Sequence, residues 1–202
     1  MSFRKEKKIR VTSEEFHKFK NLLFQQGMTK LYEPRKVNSI YFDTINLDMF
    51  IDSEEGALPR KKLRVRWYNY EKKFMFENKL SSIEGRYKTT KLLEEISKDQ
   101  DILGKQYFDS QYGKVFPSLR ISYERSYFSF RSMRITFDHN ITYRSRKSAF
   151  KNFYQDPERV IEIKIPFGCP DDYVERQIPY STSRFSKYSR GMLLSSGELS
   201  RF

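Results

Sequence analysis

Charge and hydrocarbon alternate strictly along several short segments of this chain, and no other feature narrows the fold so much. Lys62-Leu63-Arg64-Val65-Arg66-Trp67 runs without a slip. Successive side chains of a β-strand point to opposite faces, so Lys62, Arg64 and Arg66 share one face and Leu63, Val65 and Trp67 the other. Ile161-Glu162-Ile163-Lys164-Ile165 and Arg134-Ile135-Thr136-Phe137-Asp138 split the same way, and between Phe74 and Lys79 the phenylalanines oppose Glu77 and Lys79. The first strand puts Arg4, Glu6, Lys8 and Arg10 on one face, although Lys5 and Lys7 blur the other. For any single strand, a charged face is most simply a solvated face. The repetition asks for more, because several Arg/Lys with one Glu return on strand after strand where a solvated face would mix signs and polar residues freely.

The rest of the chain places these strands. Residues 4–10 read as a strand. Thr12–Gln26 reads as a helix, with capping-box spacing between Thr12 and Glu15, an apolar stripe of Phe16, Phe19, Leu22 and Leu23, and Gly27 to end it. Val37–Asp43 is a second strand and Asn46–Ile51 a short helical turn. Lys61–Tyr70 and Lys73–Leu80 read as strands that turn near Asn69, and Leu92–Leu103 as a second helix. Ser118–Phe128, Met133–Asp138, Ile141–Arg146 and Arg159–Pro166 are further strands, and Ser181–Leu194 is a loop into a short C-terminal helix. About eight strands with short connections predict an α+β fold, mainly antiparallel β, over a single domain, 1–202, able to close into a barrel.

Composition bounds the function. The 202 residues carry a net charge of +13, which asks for a polyanionic partner: nucleic acid, an anionic membrane surface or a phosphate-rich small molecule. Aromatics are 16% of the chain, which argues against disorder despite 32% charged residues. No apolar run exceeds three residues, so no transmembrane helix or secretory signal is expected. The single cysteine, Cys169, argues for a reducing, cytoplasmic setting, and with only His17 and His139 beside it a structural zinc site is not expected. GxxxxGK[ST], GxSxG and HExxH are all absent. His17 reads as a surface residue, His139 as a turn residue, and Tyr41, Tyr123 and Tyr188 as packing or wall residues. Asp43 reads as a cap for the turn at Thr44.

If the sheet closes with its charged face inward, the lumen holds many cations and about four carboxylates. Such a lumen is costly unless a polyanion fills it. Arg and Lys clamp phosphoryl oxygens, and carboxylates can hold Mg²⁺ or Mn²⁺ that bridges phosphates. A nucleic-acid groove is the rival reading. Against it, most aromatics fall on the face opposite the cations, and no nucleic acid is expected as a partner.

The segments RKEKK (4–8), SIYFDT (39–44), RKKLRVRWY (60–68), FENK (76–79), GRYK (85–88), YERSYF (123–128), RITFD (134–138), IEIK (161–164) and RFSKYSRG (184–191) follow one another in an order that resembles the vacuolar transporter chaperone (VTC) polyphosphate polymerase domain. That family belongs to the triphosphate tunnel metalloenzymes, with the CYTH phosphatases. The resemblance implies an eight-stranded antiparallel tunnel with a basic lumen and a few flanking helices, in which the γ-phosphate of ATP is transferred to a polyphosphate chain with Mn²⁺ or Mg²⁺ as cofactor. It implies catalytic cations at Arg64, Arg66, Lys79, Arg125, Arg134 and Lys187. It implies substrate contacts at Arg4, Lys8, Lys62, Lys88, Lys164 and Arg184, and metal ligation by Glu162 with Glu6 and Glu77. Arg184 stands where the polymerase pattern has a lysine. Arg4 stands where the CYTH phosphatases have the first glutamate of ExExK, which favours polymerase-like use. A tripolyphosphatase or nucleoside triphosphatase, and a silent polyphosphate-binding module, are the alternatives. The familiar eukaryotic members carry membrane-spanning regions, so a membrane-bound partner is conceivable.

Overall fold

The structure, a computed structural model, describes residues 4–69, 71, 73–170 and 172–197. In chain order the elements are β1 (Arg4–Val11), α1 (Ser13–Gln25), β2 (Thr29–Asp43), α2 (Asp48–Glu55), β3 (Arg60–Tyr68), β4 (Met75–Ser82) and β5 (Gly85–Leu92). There follow α3 (Asp99–Leu103), β6 (Tyr107–Asp109), β7 (Gly113–Phe130), β8 (Met133–Ser145), a 3₁₀ turn at Arg146–Ser148, β9 (Tyr154–Gln155), β10 (Arg159–Pro166), α4 (Tyr173–Gln177) and α5 (Lys187–Ser196). The hydrogen-bonded strand order is β1-β10-β8-β7-β2-β3-β4-β5, with β6 on β7 and β9 on β8. The pairings β1–β10, β10–β8, β2–β3, β3–β4, β4–β5 and β6–β7 are antiparallel. This is the expected mainly antiparallel α+β fold.

The chain divides into two compact units. The first comprises Met1–Lys36, Tyr123–Ile141 and Gln155–Phe185. Its core joins Ile9 and Val11 of β1, Phe16, Phe19 and Leu23 of α1, Ile135 and Phe137 of β8 and the Ile161/Ile163/Ile165 row of β10. The second comprises Val37–Ser122, Thr142–Tyr154 and Ser186–Phe202. Its core joins Ile40 and Phe42 of β2, Met49 of α2, Leu63, Val65 and Trp67 of β3, and Val115 of β7. In both, the apolar rows that alternation predicted pack into the core, and on the opposite faces Arg64, Arg66, Asp138 and Glu162 are buried as well.

The helix α1 starts as its sequence predicts: Glu15 N donates to Thr12 Oγ1, and Thr12 N donates to a Glu15 carboxylate oxygen. Other boundaries differ. Of the expected helix at Leu92–Leu103 only the last five residues are helical, α3, while Leu92 itself ends the strand β5. β2 begins eight residues before Val37, and its added half is fully exposed. Met133–Asp138 and Ile141–Arg146 are one strand, β8, with Asn140 at φ 51° absorbing the irregularity. The turn expected at Asn46–Ile51 is a two-turn helix, α2.

Candidate functional site

In the second unit the cations lie across three adjacent strands. Register sets Arg64 of β3 opposite Glu77 of β4 and opposite Tyr41 of β2. Arg64 and Glu77 are 5% and 3% exposed. Arg64 Nε donates to Glu77 Oε2 at 2.6 Å, and Arg64 Nη1 donates to the Tyr41 hydroxyl at 2.7 Å. Lys88 Nζ of β5 donates to the other Glu77 oxygen at 2.6 Å. Burial pushes the Glu77 carboxyl up, but Arg64, Arg66 and Lys88 outweigh it and hold the group at about 2. Arg66 is anchored on Ser39 Oγ at 3.1 Å. One step along the same face, Lys62, Lys79 and Lys88 stand directly opposite one another on β3, β4 and β5. Strands are about 4.8 Å apart, so this is a row of like charges at close spacing, an arrangement that costs stability by itself.

The helix α5 closes this group. Lys62 Nζ donates to Ser186 Oγ at 2.8 Å, at the N-cap of α5. The Tyr188 ring stacks on Tyr41 at 4.9 Å between centroids and 12° between planes. The Tyr188 hydroxyl donates to Asp43 Oδ2. Asp43 also accepts from the amides of Thr44, Met49 and Phe50, so it caps α2 from the end of β2. That fulfils the capping reading of Asp43. Burial pushes the Tyr188 hydroxyl far above its ordinary value, and Asp43 adds to the shift. For Tyr41, burial is outweighed by the charges of Arg64 and Arg66, so its hydroxyl lies lower than usual. Gly191 lets α5 seat this closely, since a Cβ there would meet the Tyr143 ring and lie 2.7 Å from Leu119 Cδ2.

The first unit carries its own charged face on β1, β10 and β8. Lys8 stands opposite Glu162, Glu6 opposite Lys164, and Lys164 opposite Arg134. Lys164 Nζ lies 3.0 Å from Glu162 and 3.6 Å from Glu6, and Lys8 Nζ lies 3.2 Å from Glu6. Arg125 of β7 grips Asp138 with two parallel bonds of 2.6 and 2.7 Å and lies 3.4 Å from Glu162. Burial works against the Arg125 charge, but Asp138 and Glu162 hold it firmly protonated. Arg134 Nε is buried without a hydrogen-bond partner among the described residues. Lys8 Nζ also donates to the Phe185 carbonyl at 2.9 Å, beside Arg184, which is exposed.

The family resemblance implies metal ligation by Glu162, Glu6 and Glu77. Among the described residues no group of three or more His, Cys, Asp and Glu is arranged to hold a metal. Glu6 and Glu162 instead flank one cation, the Lys164 ammonium. Carboxylate oxygens suit a hard divalent ion, which would take the place of that ammonium. Glu77 is likewise held by cations, Arg64 and Lys88, and among the described residues shares none of them with the other two carboxylates.

Thus the structure brings Arg64, Arg66, Lys62, Lys79, Lys88, Lys187 and Glu77 into one unit, and Glu6, Lys8, Arg125, Arg134, Glu162, Lys164 and Arg184 into the other. The Arg4 side chain lies outside the described residues. Sequence reasoning missed Asp138, fully buried under Arg125, although the alternation from Arg134 had put it on the charged face. It also set the aromatics opposite the cations. Yet the guanidinium carbons of Arg64, Arg125 and Arg134 lie 5.6, 5.3 and 5.6 Å from the ring centroids of Tyr41, Tyr123 and Tyr127.

Among solved structures, one of similar fold is a protein of Bacillus halodurans provisionally named an adenylate cyclase, at TM-score 0.59 and 16% identity over 92% of this chain and 94% of that one. A Hippeastrum protein provisionally named an adenylyl cyclase, and described as having a dominant triphosphatase activity, aligns at TM-score 0.56 and 16% identity over 98% and 97% of the two chains. The PH1012 protein of Pyrococcus horikoshii aligns at TM-score 0.56 and 14% identity over 92% and 98%. At these identities the likeness is one of fold. No curated protein sequence matches the chain. The family model of the VTC domain matches residues 3–196, both charged faces included, and the chain therefore belongs to the VTC domain family.

Proposed function

We propose that this protein is a phosphotransferase that moves the γ-phosphate of ATP onto an inorganic polyphosphate chain. The observation that carries the reading is the Lys62–Lys79–Lys88 row, three lysines in backbone register on adjacent strands beside Arg64 and Arg66. A row of like charge on a folded sheet is relieved by a bound polyanion, and linear phosphate offers one negative group after another. The orphaned Arg134 Nε supports the same ligand class, since an anionic oxygen would satisfy it.

In this reading Arg64, Arg66, Lys79 and Lys187 in the second unit, and Arg125 and Arg134 in the first, neutralise phosphate oxygens, while Lys62 and Lys88 in the second unit, and Arg4, Lys8, Lys164 and Arg184 in the first, bind more of the polyanion. An oxygen of the acceptor's terminal phosphate attacks the γ-phosphorus. The new P–O bond forms as the bond to the β–γ bridging oxygen breaks, and ADP leaves with that electron pair. Positioning and charge stabilisation suffice for this step, and no protein nucleophile is required. Glu162 and Glu6 would hold a Mg²⁺ or Mn²⁺, which would supply Lewis-acid charge neutralisation. Hydrolysis is the second reading, favoured by the triphosphatase activity named for the Hippeastrum neighbour.

Incubation of the purified protein with ATP and Mn²⁺, with products resolved by gel and by phosphate release, separates the readings. Long polyphosphate with ADP is expected. Free phosphate without chains would assign a hydrolase, and tight polyphosphate binding without turnover a binding module. Arg64→Ala should lower turnover by about two orders of magnitude or more in a folded protein, and normal turnover in that variant would sink the assignment.

A further inference from the structure

Two segments have no part in the chemistry above: SIYFDT (39–44) and the Tyr188–Gly191 stretch of α5. The second unit brings them into contact and ties both to Arg64. We infer that Asp43, Tyr188 and Tyr41 form a positioning relay that aims the Arg64 guanidinium, an inference that rests on the phosphate-binding reading of that arginine.

The links can be followed one at a time. Three backbone amides and the Tyr188 hydroxyl fix the Asp43 carboxylate. Tyr188, held at that end, lies face to face with Tyr41 at 4.9 Å, so the Tyr41 ring cannot tilt toward it. The Tyr41 hydroxyl then accepts from Arg64 Nη1, while Glu77 takes Nε from the other side. Asp43, Tyr188 and Tyr41 are 0%, 2% and 7% exposed, so water offers little substitute for any link. Ser118 Oγ adds a bond to the Tyr41 carbonyl at 3.1 Å, which fixes the backbone under the ring.

Ordinary core packing would ask less. A ring needed only as hydrocarbon would serve as phenylalanine, yet both hydroxyls have assigned polar partners. A guanidinium binds phosphate through a planar fork whose aim decides whether it engages one oxygen or two, unlike the point charge of a lysine. Pinning that plane from two sides is a use for both Glu77 and Tyr41. It also makes α5 an element that governs Arg64, because Tyr188 stands one turn before Gly191, whose lack of a side chain admits the helix. With its hydroxyl proton held tightly, Tyr188 remains a donor to Asp43 at any ordinary pH.

The test is the affinity of the whole chain for inorganic tripolyphosphate, measured by titration calorimetry, which reads the site whether or not it turns over. Tyr41→Phe should weaken binding about fivefold or more, Arg64→Ala should weaken it further, and the double variant should bind no worse than Arg64→Ala alone. Tyr188→Phe keeps the stacked ring and removes only the hydroxyl, and with it the bond to Asp43, so it should weaken binding about two- to fivefold, again only where Arg64 is present. A tyrosine that served packing alone would change the unfolding temperature and leave this coupling at zero. Tyr41→Phe within twofold of the parent, or an equal loss with and without Arg64, overturns the relay. Should Tyr41→Phe fail to fold, Tyr188→Phe with and without Arg64 decides by the same criterion. Failure of the parent chain to bind tripolyphosphate removes the phosphate reading and the relay together, and is told apart because it appears before any substitution.

Discussion

At Glu77 burial and charge are most directly opposed. Folded, the carboxyl is held at about 2 by its cations, whereas an unfolded chain returns it to an ordinary value near 4.5. A depressed carboxyl stabilises the fold fully above the unfolded value, and that contribution is lost as pH falls toward the folded one. Stability should therefore drop between about pH 5 and pH 2, by an amount of order 3 kcal/mol from this group. Glu77→Gln should flatten that part of a plot of unfolding free energy against pH, and an unchanged slope would assign the loss to other carboxylates. Lys62, Arg64 and Arg66 were legible in the sequence because a period of two fixes their face without reference to any other strand. Tyr41 and Tyr188 were not. Each is an ordinary aromatic until the fold stacks them, and their hydroxyl partners come from elements far apart in the chain.

Helices and strands were legible where local signals agreed with packing. The α1 helix has both its cap and its stripe, and it forms where expected. The Leu92–Leu103 segment lacked such agreement, and only its last five residues are helical. Gly85–Leu92 carries no local signal either: it is mostly exposed, so burial leaves no pattern in it, and its strand state comes from pairing along the length of β4. The seat of α5 was equally invisible, since Gly191 reads as a helix-weakening residue until Tyr143 and Leu119 are placed against it. Gly191→Ala should cost about 1–3 kcal/mol or more from overpacking, despite alanine's better helix propensity. Gly104→Ala is the matched comparison, because a Cβ there meets only the Asp101 carbonyl at 3.9 Å. Thermal unfolding of the two variants should separate them clearly, and equal midpoints would mean that α5 yields without cost.

For the whole molecule, the governing quantity is the surplus of 13 positive charges. A ligand that binds only the folded chain stabilises it by about 2.7 kcal/mol at one hundred times its dissociation constant. Tripolyphosphate should therefore raise the unfolding temperature, and the shift should shrink as added salt screens the charges. No shift at millimolar tripolyphosphate in low salt would contradict a phosphate-binding role for either face. None of the helices among the described residues is long and apolar enough to cross a membrane. The order of the motifs made the family legible, because charge position along a strand is set locally. The division of the charges between two compact units, each with its own core, was not, since it depends on which distant segments cluster.

The strand path ends on β5, which carries Arg86, Lys88 and Lys91 and no acidic residue. A terminal strand exposes backbone groups on which another chain can template, and mutual repulsion between like-charged edges is a common safeguard against that. Here one residue of the safeguard, Lys88, also belongs to the lysine row that would greet phosphate. Neutralisation of that row by a bound polyanion would thus lower a barrier to self-association, tying colloidal behaviour to occupancy.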